Sequence, residues 1–202
     1  MQLQNIINQQ LIGNIIAGTF VVKEQDTQAQ LREVTINELP QSLFVYTTDA
    51  INPTTNLKFK NDLLEPTLTY INQNCDAVFV LQDANEIDVL FGELKSESPS
   101  GYETQLINST LFFDYIVLLF NSFFAQTPLV VRNKWYVLFY FKRPLVTHKS
   151  IRGGIKSNGL LVQMVHPQAQ GASILKYAFS KSHHNYLEWS EMVQYFLQNT
   201  TH

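Results

Sequence analysis

Apolar residues along the chain fall into short runs of two kinds, and the spacing within each run predicts its structure. Leu3, Ile6, Ile7, Leu11 and Ile15 recur at near-helical spacing and predict an opening helix over 2–16, weakened by Gly13. The segments TFVVKE, REVTIN and SLFVYTT are rich in β-branched and aromatic residues and predict strands. DAINPTTN reads as a loop, and NDLLEPTLTYINQN as a short helix or loop limited by Pro66. Residues 75–82 and 87–95 are two apolar runs separated by DANE. After SESPSG, a helix is predicted from 102 to about 124, apolar on most sides and therefore buried. KWYVLFYFKR, LLVQMVH and ASILKYAFSK read as further strands, THKSIRGGIKSNG as a basic loop, and NYLEWSEMVQYFLQ as a closing amphipathic helix. Strands, a long helix and strands again predict an α/β or α+β sandwich, expected as one domain over 1–202.

The two central runs carry charge where a buried strand should have none. Taken as a hairpin with Ala84 and Asn85 at the tip, paired positions place Leu81 opposite Asp88 and, carried back, Asp76 opposite Glu93. Directly opposed residues have Cβ atoms about 4.5–5.5 Å apart. Glu93 and Lys95 differ by two and share a strand face with Val89 and Phe91, while Leu90 and Leu94 line the other. A strand apolar on both faces is a central one, where charge is expensive. Two close carboxylates repel, and a divalent cation removes the repulsion: Mg²⁺ takes oxygen ligands, commonly one or two carboxylates with water and substrate phosphate. Lys95 then stands where it could hold an attacking water or stabilise charge on phosphorus. The bland readings are a strand-start Asp76 bonded to backbone and an ordinary surface pair of Glu93 and Lys95.

Composition and charge extend this picture. Hydrophobic content of 45% against 15% charged describes a folded globular chain. The lone Cys75 cannot form an internal disulfide, and MQLQNIINQQ lacks the marks of a signal peptide, so a reducing, cytoplasmic setting is expected. The greasiest segment, 111–125, is broken by Asp114 and Asn121 and is expected to be a buried helix rather than a membrane span. Residues 1–114 hold 15 acidic and five basic residues; residues 115–187 hold nine basic and no acidic ones. Such a stretch suits a phosphate-facing surface, with Lys142, Arg143, Lys149, Arg152 and Lys156 as candidate nucleic-acid contacts. Trp135 and Tyr136 could stack on bases, although a strand Trp is usually core. His183-His184 lacks a partner cluster, and RGGIKSNG does not fit a phosphate-binding Walker loop.

Asp76, a hairpin, and then Glu93-Leu94-Lys95 resemble the active-site signature of the PD-(D/E)xK phosphodiesterase superfamily of restriction endonucleases, resolvases and recombination exonucleases. The family core is a helix, a three-stranded meander, a helix and a further strand, and the resemblance covers roughly 70–142. It implies a restriction-endonuclease-like mixed central sheet flanked by helices. It also implies Asp76 and Glu93 as ligands of Mg²⁺ or Mn²⁺, the Leu94 carbonyl as a third ligand, Lys95 as the catalytic cation and Gln105 reaching in from the helix. Cys75 stands where the motif's name has Pro, and Ser109 stands where one exonuclease branch has Tyr. An acid from an upstream helix, used by many relatives, could be Glu24, Glu33, Glu38 or Glu65. The function so implied is a metal-dependent nuclease, with DNA rather than RNA as substrate, in host defence or DNA processing. A homodimer or a partner protein would supply specificity, and no membrane is involved. The alternative is a non-catalytic nuclease-like subunit that binds nucleic acid or a protein partner.

Overall fold

The computed structural model describes residues 2–24, 28–47, 73–95, 101–141, 156–157, 160–165, 174–179 and 185–199. Its strands are β1 (Phe20–Lys23), β2 (Glu33–Asn37), β3 (Leu43–Tyr46), β4 (Ala77–Asp83), β5 (Glu86–Lys95), β6 (Val130–Phe141), β7 (Lys156–Ser157), β8 (Leu160–Val165), β9 (Ile174–Phe179) and β10 (Asn185–Glu188). The helices are α1 (Tyr102–Phe123) and α2 (Trp189–Asn199). The architecture is mixed α/β, with a three-stranded sheet ordered β1-β2-β10 and a seven-stranded sheet ordered β3-β4-β5-β6-β9-β8-β7.

The predicted hairpin holds the middle of the large sheet in the predicted register. Asp83 pairs with Glu86, Leu81 with Asp88 and Ala77 with Gly92. The tip turns at Ala84, whose φ of 52° is left-handed, a conformation that L-residues adopt at a cost; the Gln82 amide steadies it by donating to the Ala84 carbonyl at 3.2 Å. β3 and β4 run antiparallel, as do β4 and β5, whereas β5, β6 and β9 are mutually parallel. Parallel neighbours need a long crossover, and α1 provides it between β5 and β6. It therefore begins beside the carboxyl end of β5.

Alternation along the strands divides the core in two. Phe79, Leu90, Leu94, Val137 and Leu175 face the small sheet and α2, where Trp189, Met192 and Phe196 pack. Val78, Val89, Phe91, Tyr136 and Leu138 face α1, which presents Leu106, Phe113, Val117 and Phe120. Phe91 meets Phe113 edge-on at 5.9 Å and stacks on Tyr136 at 5.4 Å; such pairs add about 0.5–1.5 kcal/mol each beyond burial. Trp135 is buried and stacked on Phe196 at 5.4 Å, so both aromatics considered for base stacking are core residues.

Three expectations need correction. Residues 2–16 form no helix; they make 3₁₀ turns at Leu3–Ile6 and Gln9–Leu11 and then extend, with Ile12 bridging Tyr46. The Asn8 side chain takes up the N–H of Gln10, and a Cβ on Gly13 would sit 2.3 Å from the Phe20 ring, so local bonding and close packing override the spacing. The closing segment is not helical from its start: Asn185–Glu188 pairs in parallel with β2 before the helix begins at Trp189. α1 is not buried on all sides, because Leu111, Tyr115, Leu118 and Phe123 are exposed. By length and composition α1 is also apolar enough to cross a bilayer, although here its inner face packs on the sheet. Residues 61–72, like the loop at 49–56, lie outside the described residues.

Candidate functional site

On the α1 face of the large sheet the cross-strand rows change character toward the carboxyl ends of β5, β6 and β9. One row is Val78, Phe91, Tyr136 and Ile174, entirely apolar. The next row on that face is Glu93, Leu138 and Lys176, and the one after it is Lys95, Tyr140 and Ala178. Charge thus flanks the apolar row on this face: Lys134, in register with Val89, pairs with Asp114 of α1 toward the start of β6, and Glu93, Lys176 and Lys95 gather where the three parallel strands finish. In open α/β sheets the carboxyl ends of parallel strands are where ligands bind.

Asp76 lies one residue before β4, in a bend rather than in the ladder. The ladder stops at Ala77 and Gly92, so β4 supplies no carbonyl for the next N–H of β5. The Asp76 carboxylate takes that place and accepts the Leu94 N–H at 2.6 Å. Asp76 is thus tied to the residue following Glu93 instead of standing as a ladder partner of Glu93. The strand-start reading of Asp76 is present in the structure: its carboxylate lies against the backbone of the residue that follows Glu93.

Glu93 is 1% exposed and meets the Lys95 ammonium at 2.6 Å, with Lys95 22% exposed. The pair has one member sunk in the sheet and one reaching water. Gln105, on the first turn of α1, donates to the Asn74 carbonyl at 3.3 Å, which sets it against the chain leading into Asp76. Ser109, one turn on, is buried and accepts the Cys75 N–H at 2.8 Å. Ser109 thus anchors the strand start that carries Asp76, a role that its sequence position did not suggest. The Cys75 thiol is fully buried; burial pushes its pKa up, the Ser109 hydrogen bond partly offsets this, and the Glu93 and Asp76 carboxylates add to the rise. The thiol therefore stays protonated, and it senses the negative charge gathered at this end of the sheet.

Two residues missed in the sequence complete the site. Lys176 of β9 points its ammonium over the Tyr102 ring at 4.9 Å from the centroid, and Tyr102 is the first residue of α1. Tyr140, beside Lys95, is half-buried, and burial raises its phenol pKa. The signal for Lys176 was present: it is the single charged residue of ILKYAF, just as Glu93 and Lys95 stood out in their own run.

The predicted basic surface is only partly described. Lys142, Arg143, Lys149 and Arg152 lie outside the described residues, as do Glu65 and His183-His184, and Lys156 is described only as backbone in β7. Arg132 and Lys134, both in the stretch lacking acids, are paired with acids from earlier in the chain. Arg132 is the bulge residue where the β5/β6 register shifts, and it grips Asp88 with both arms of its guanidinium while reaching Glu86 at 2.8 Å. Lys134 pairs with Asp114 at 2.6 Å. Of the candidate upstream acids, Glu33 lies in β2 and Glu24 and Glu38 flank the small sheet, which packs on the opposite face of the large sheet from Glu93.

Among the described residues no group of three or more His, Cys, Asp and Glu side chains could hold a metal ion. A cation at this end of β5 would rest on the Asp76 and Glu93 carboxylates, the Leu94 carbonyl and water. That all-oxygen set fits Mg²⁺ or Mn²⁺ and not zinc, whose sites draw on thiolate or imidazole. No family model matches the chain, and no curated protein or solved structure matches it.

Proposed function

We propose that this chain is a metal-dependent nuclease that hydrolyses phosphodiester bonds, with DNA as the preferred substrate, on a restriction-endonuclease-like framework. The observation that carries the reading is the almost fully buried Glu93, in contact with Lys95 and next to the residue held by Asp76, at the carboxyl end of a central strand. A structural ion pair gains little from being placed there, because desolvating two charges offsets most of their attraction. β5 holds two buried carboxylates: Asp88 is gripped by the Arg132 guanidinium, whereas Glu93 meets the Lys95 ammonium at the carboxyl end of the strand, and perturbed charge clusters at functional sites. The order of a meander (β3, β4, β5), a helix (α1) and a parallel strand (β6) supports the framework, since it is the order of the family core that the motif resembles.

In this reading Asp76 and Glu93 hold the cation, Asp76 fixed by the Leu94 N–H and Glu93 by the Lys95 contact before substrate arrives. Bound there, Mg²⁺ or Mn²⁺ would draw charge from a phosphoryl oxygen and make water a better nucleophile. Lys95 orients the attacking water and stabilises negative charge building on the phosphate. Gln105 fixes the strand entering the site. The apolar row of Val78, Phe91 and Tyr136 beneath keeps bulk water away from the Glu93 carboxylate. The first turn of α1, capped by Gly101 without a side-chain hydrogen bond, adds positive potential at the same end.

The second reading, a nuclease-like subunit that binds without cutting, is favoured by one observation: each charged group is engaged within the protein, Asp76 by Leu94 and Glu93 by Lys95. Incubation with linear, circular and single-stranded DNA and with RNA, with and without Mg²⁺, separates the two. Cleavage that needs the metal supports the nuclease. Salt-sensitive binding without cleavage under any condition supports the binding subunit.

A further inference from the structure

We infer that Lys176, held by the ring of Tyr102, binds a phosphate of the same polynucleotide that the Glu93–Lys95 end of β5 would cut. This inference rests on the proposed nuclease reading and names the group that grips the substrate strand beside the reacting phosphate.

The argument begins with position. Glu93 pairs with Leu138, and Leu138 with Lys176, so the two charged residues occupy one row of the sheet and face the same side. Two strand spacings set their backbones about 9–10 Å apart. Above the row lies the first turn of α1. Gln105 reaches toward the Asp76 end through Asn74, and Tyr102, three residues earlier, lies against Lys176. The turn thus spans the row, with Asp76 and Glu93 toward one side and Lys176 toward the other.

The second point is charge. Arg132, Lys134 and Lys95 are each paired with a carboxylate. Among the described residues no carboxylate pairs with Lys176; its ammonium rests on a ring face instead. An aromatic face orients a cation without neutralising it. A half-buried ammonium resting on a ring face suits an anionic ligand, and a phosphate beside the one at Lys95 is the anion that a polynucleotide presents there. Lys176 is a binding residue in this scheme, and Tyr102 is a positioning residue that acts through it.

The test is fluorescence anisotropy of labelled single-stranded and duplex DNA, with Ca²⁺ in place of Mg²⁺ to suppress cutting, as a function of salt. It is run on the wild-type chain, Lys176→Met, Lys176→Arg and Tyr102→Leu, each checked for its fold by near-UV circular dichroism. Lys176→Gln stands in should the methionine alter the fold. Losing one phosphate contact lowers the salt slope by about 0.7 on a single strand and about 0.9 on a duplex. Lys176→Met shows that drop, Lys176→Arg keeps the wild-type slope, and Tyr102→Leu weakens binding while Lys176 remains. A wild-type slope in Lys176→Met overturns the inference and leaves the nuclease reading standing. Absence of any binding by the wild-type chain overturns both.

Discussion

The carboxylate of Asp76 accepts the backbone N–H of Leu94 at 2.6 Å, joining the start of β4 to the end of β5 just past the last rung of their ladder. That one bond fixes where Asp76 stands relative to Glu93. It also supplies the partner that a buried N–H would otherwise lack.

Removing it separates structure from chemistry. Hydrogen bonds to charged groups contribute about 1.5–3 kcal/mol, so Asp76→Ala should lower unfolding free energy by that amount in urea denaturation. Asp76→Asn keeps an oxygen acceptor and should lose less than half as much. Both should lose metal-dependent cleavage, because the amide oxygen carries no charge for a cation. Equal stability loss in the two variants would show that the Leu94 bond does not set the energetics.

Glu93 and Lys95 should behave as a coupled pair. Lys95→Met leaves a carboxylate in an almost fully buried position without its ammonium, and breaking a buried pair in this way costs about 3 kcal/mol. Glu93→Gln removes the buried charge and should cost less. The double variant should regain most of the stability lost by Lys95→Met, a coupling readable from a double-mutant cycle of melting curves. None of the three should cleave. Simple additivity of the two single variants would contradict the coupling.

The Arg132–Asp88 cluster provides a control remote from the chemistry. Asp88 is five residues from Glu93 along β5, about 16–17 Å away. Asp88 is 5% exposed and also accepts from Asn133 at 2.7 Å. Arg132→Ala strands that carboxylate at the bulge and should destabilise by about 2–3 kcal/mol. Its cleavage rate, measured well below its melting temperature, should match that of the wild type. A loss of rate at full folding would tie this cluster to catalysis.

Alkaline pH should unfold the chain early. Burial raises the Cys75 thiol from its ordinary 9.0, and burial raises the Tyr46 and Tyr177 phenols from 10.0. In the unfolded chain these groups lose protons at their ordinary values, while in the folded chain they hold them. The unfolded state then binds fewer protons, so stability is full below pH 9 and falls as pH rises beyond it. Each group contributes a slope of about 1.4 kcal/mol per pH unit. Cys75→Ala should flatten the fall between the thiol's ordinary 9.0 and the tyrosines' 10.0, leaving the steeper loss above it. Chemical denaturation at a series of pH values reads this directly.

Much of this molecule was legible in its sequence, for physical reasons that particular residues make plain. The hairpin register followed from the DANE tip, which sets Asp83 opposite Glu86 and Leu81 opposite Asp88; burial would not have fixed it, because β5 is apolar on both faces. Glu93 and Lys95 announced themselves as charges in an apolar run. The opening segment misled because isoleucines at helical spacing also suit a chain that turns twice and then lies flat; Gly13 packed against Phe20 decides between them. β10 was hidden because its partner β2 lies about 150 residues earlier, beyond any local pattern. The segregation of charge along the chain weakened once the fold brought Asp88 and Asp114 to Arg132 and Lys134. Lys176 was visible by the same rule that picked out Glu93, but its tie to Tyr102 required the path of α1.

The most direct test of the central claim is the single-turnover cleavage rate of a labelled DNA by the wild-type chain and by Lys95→Ala, each with Mg²⁺ and with chelator. Cutting by the wild type only when Mg²⁺ is present, and loss of at least a hundredfold in the folded variant, is the predicted result. Equal rates in the two proteins, or wild-type cutting that survives chelation, would contradict it.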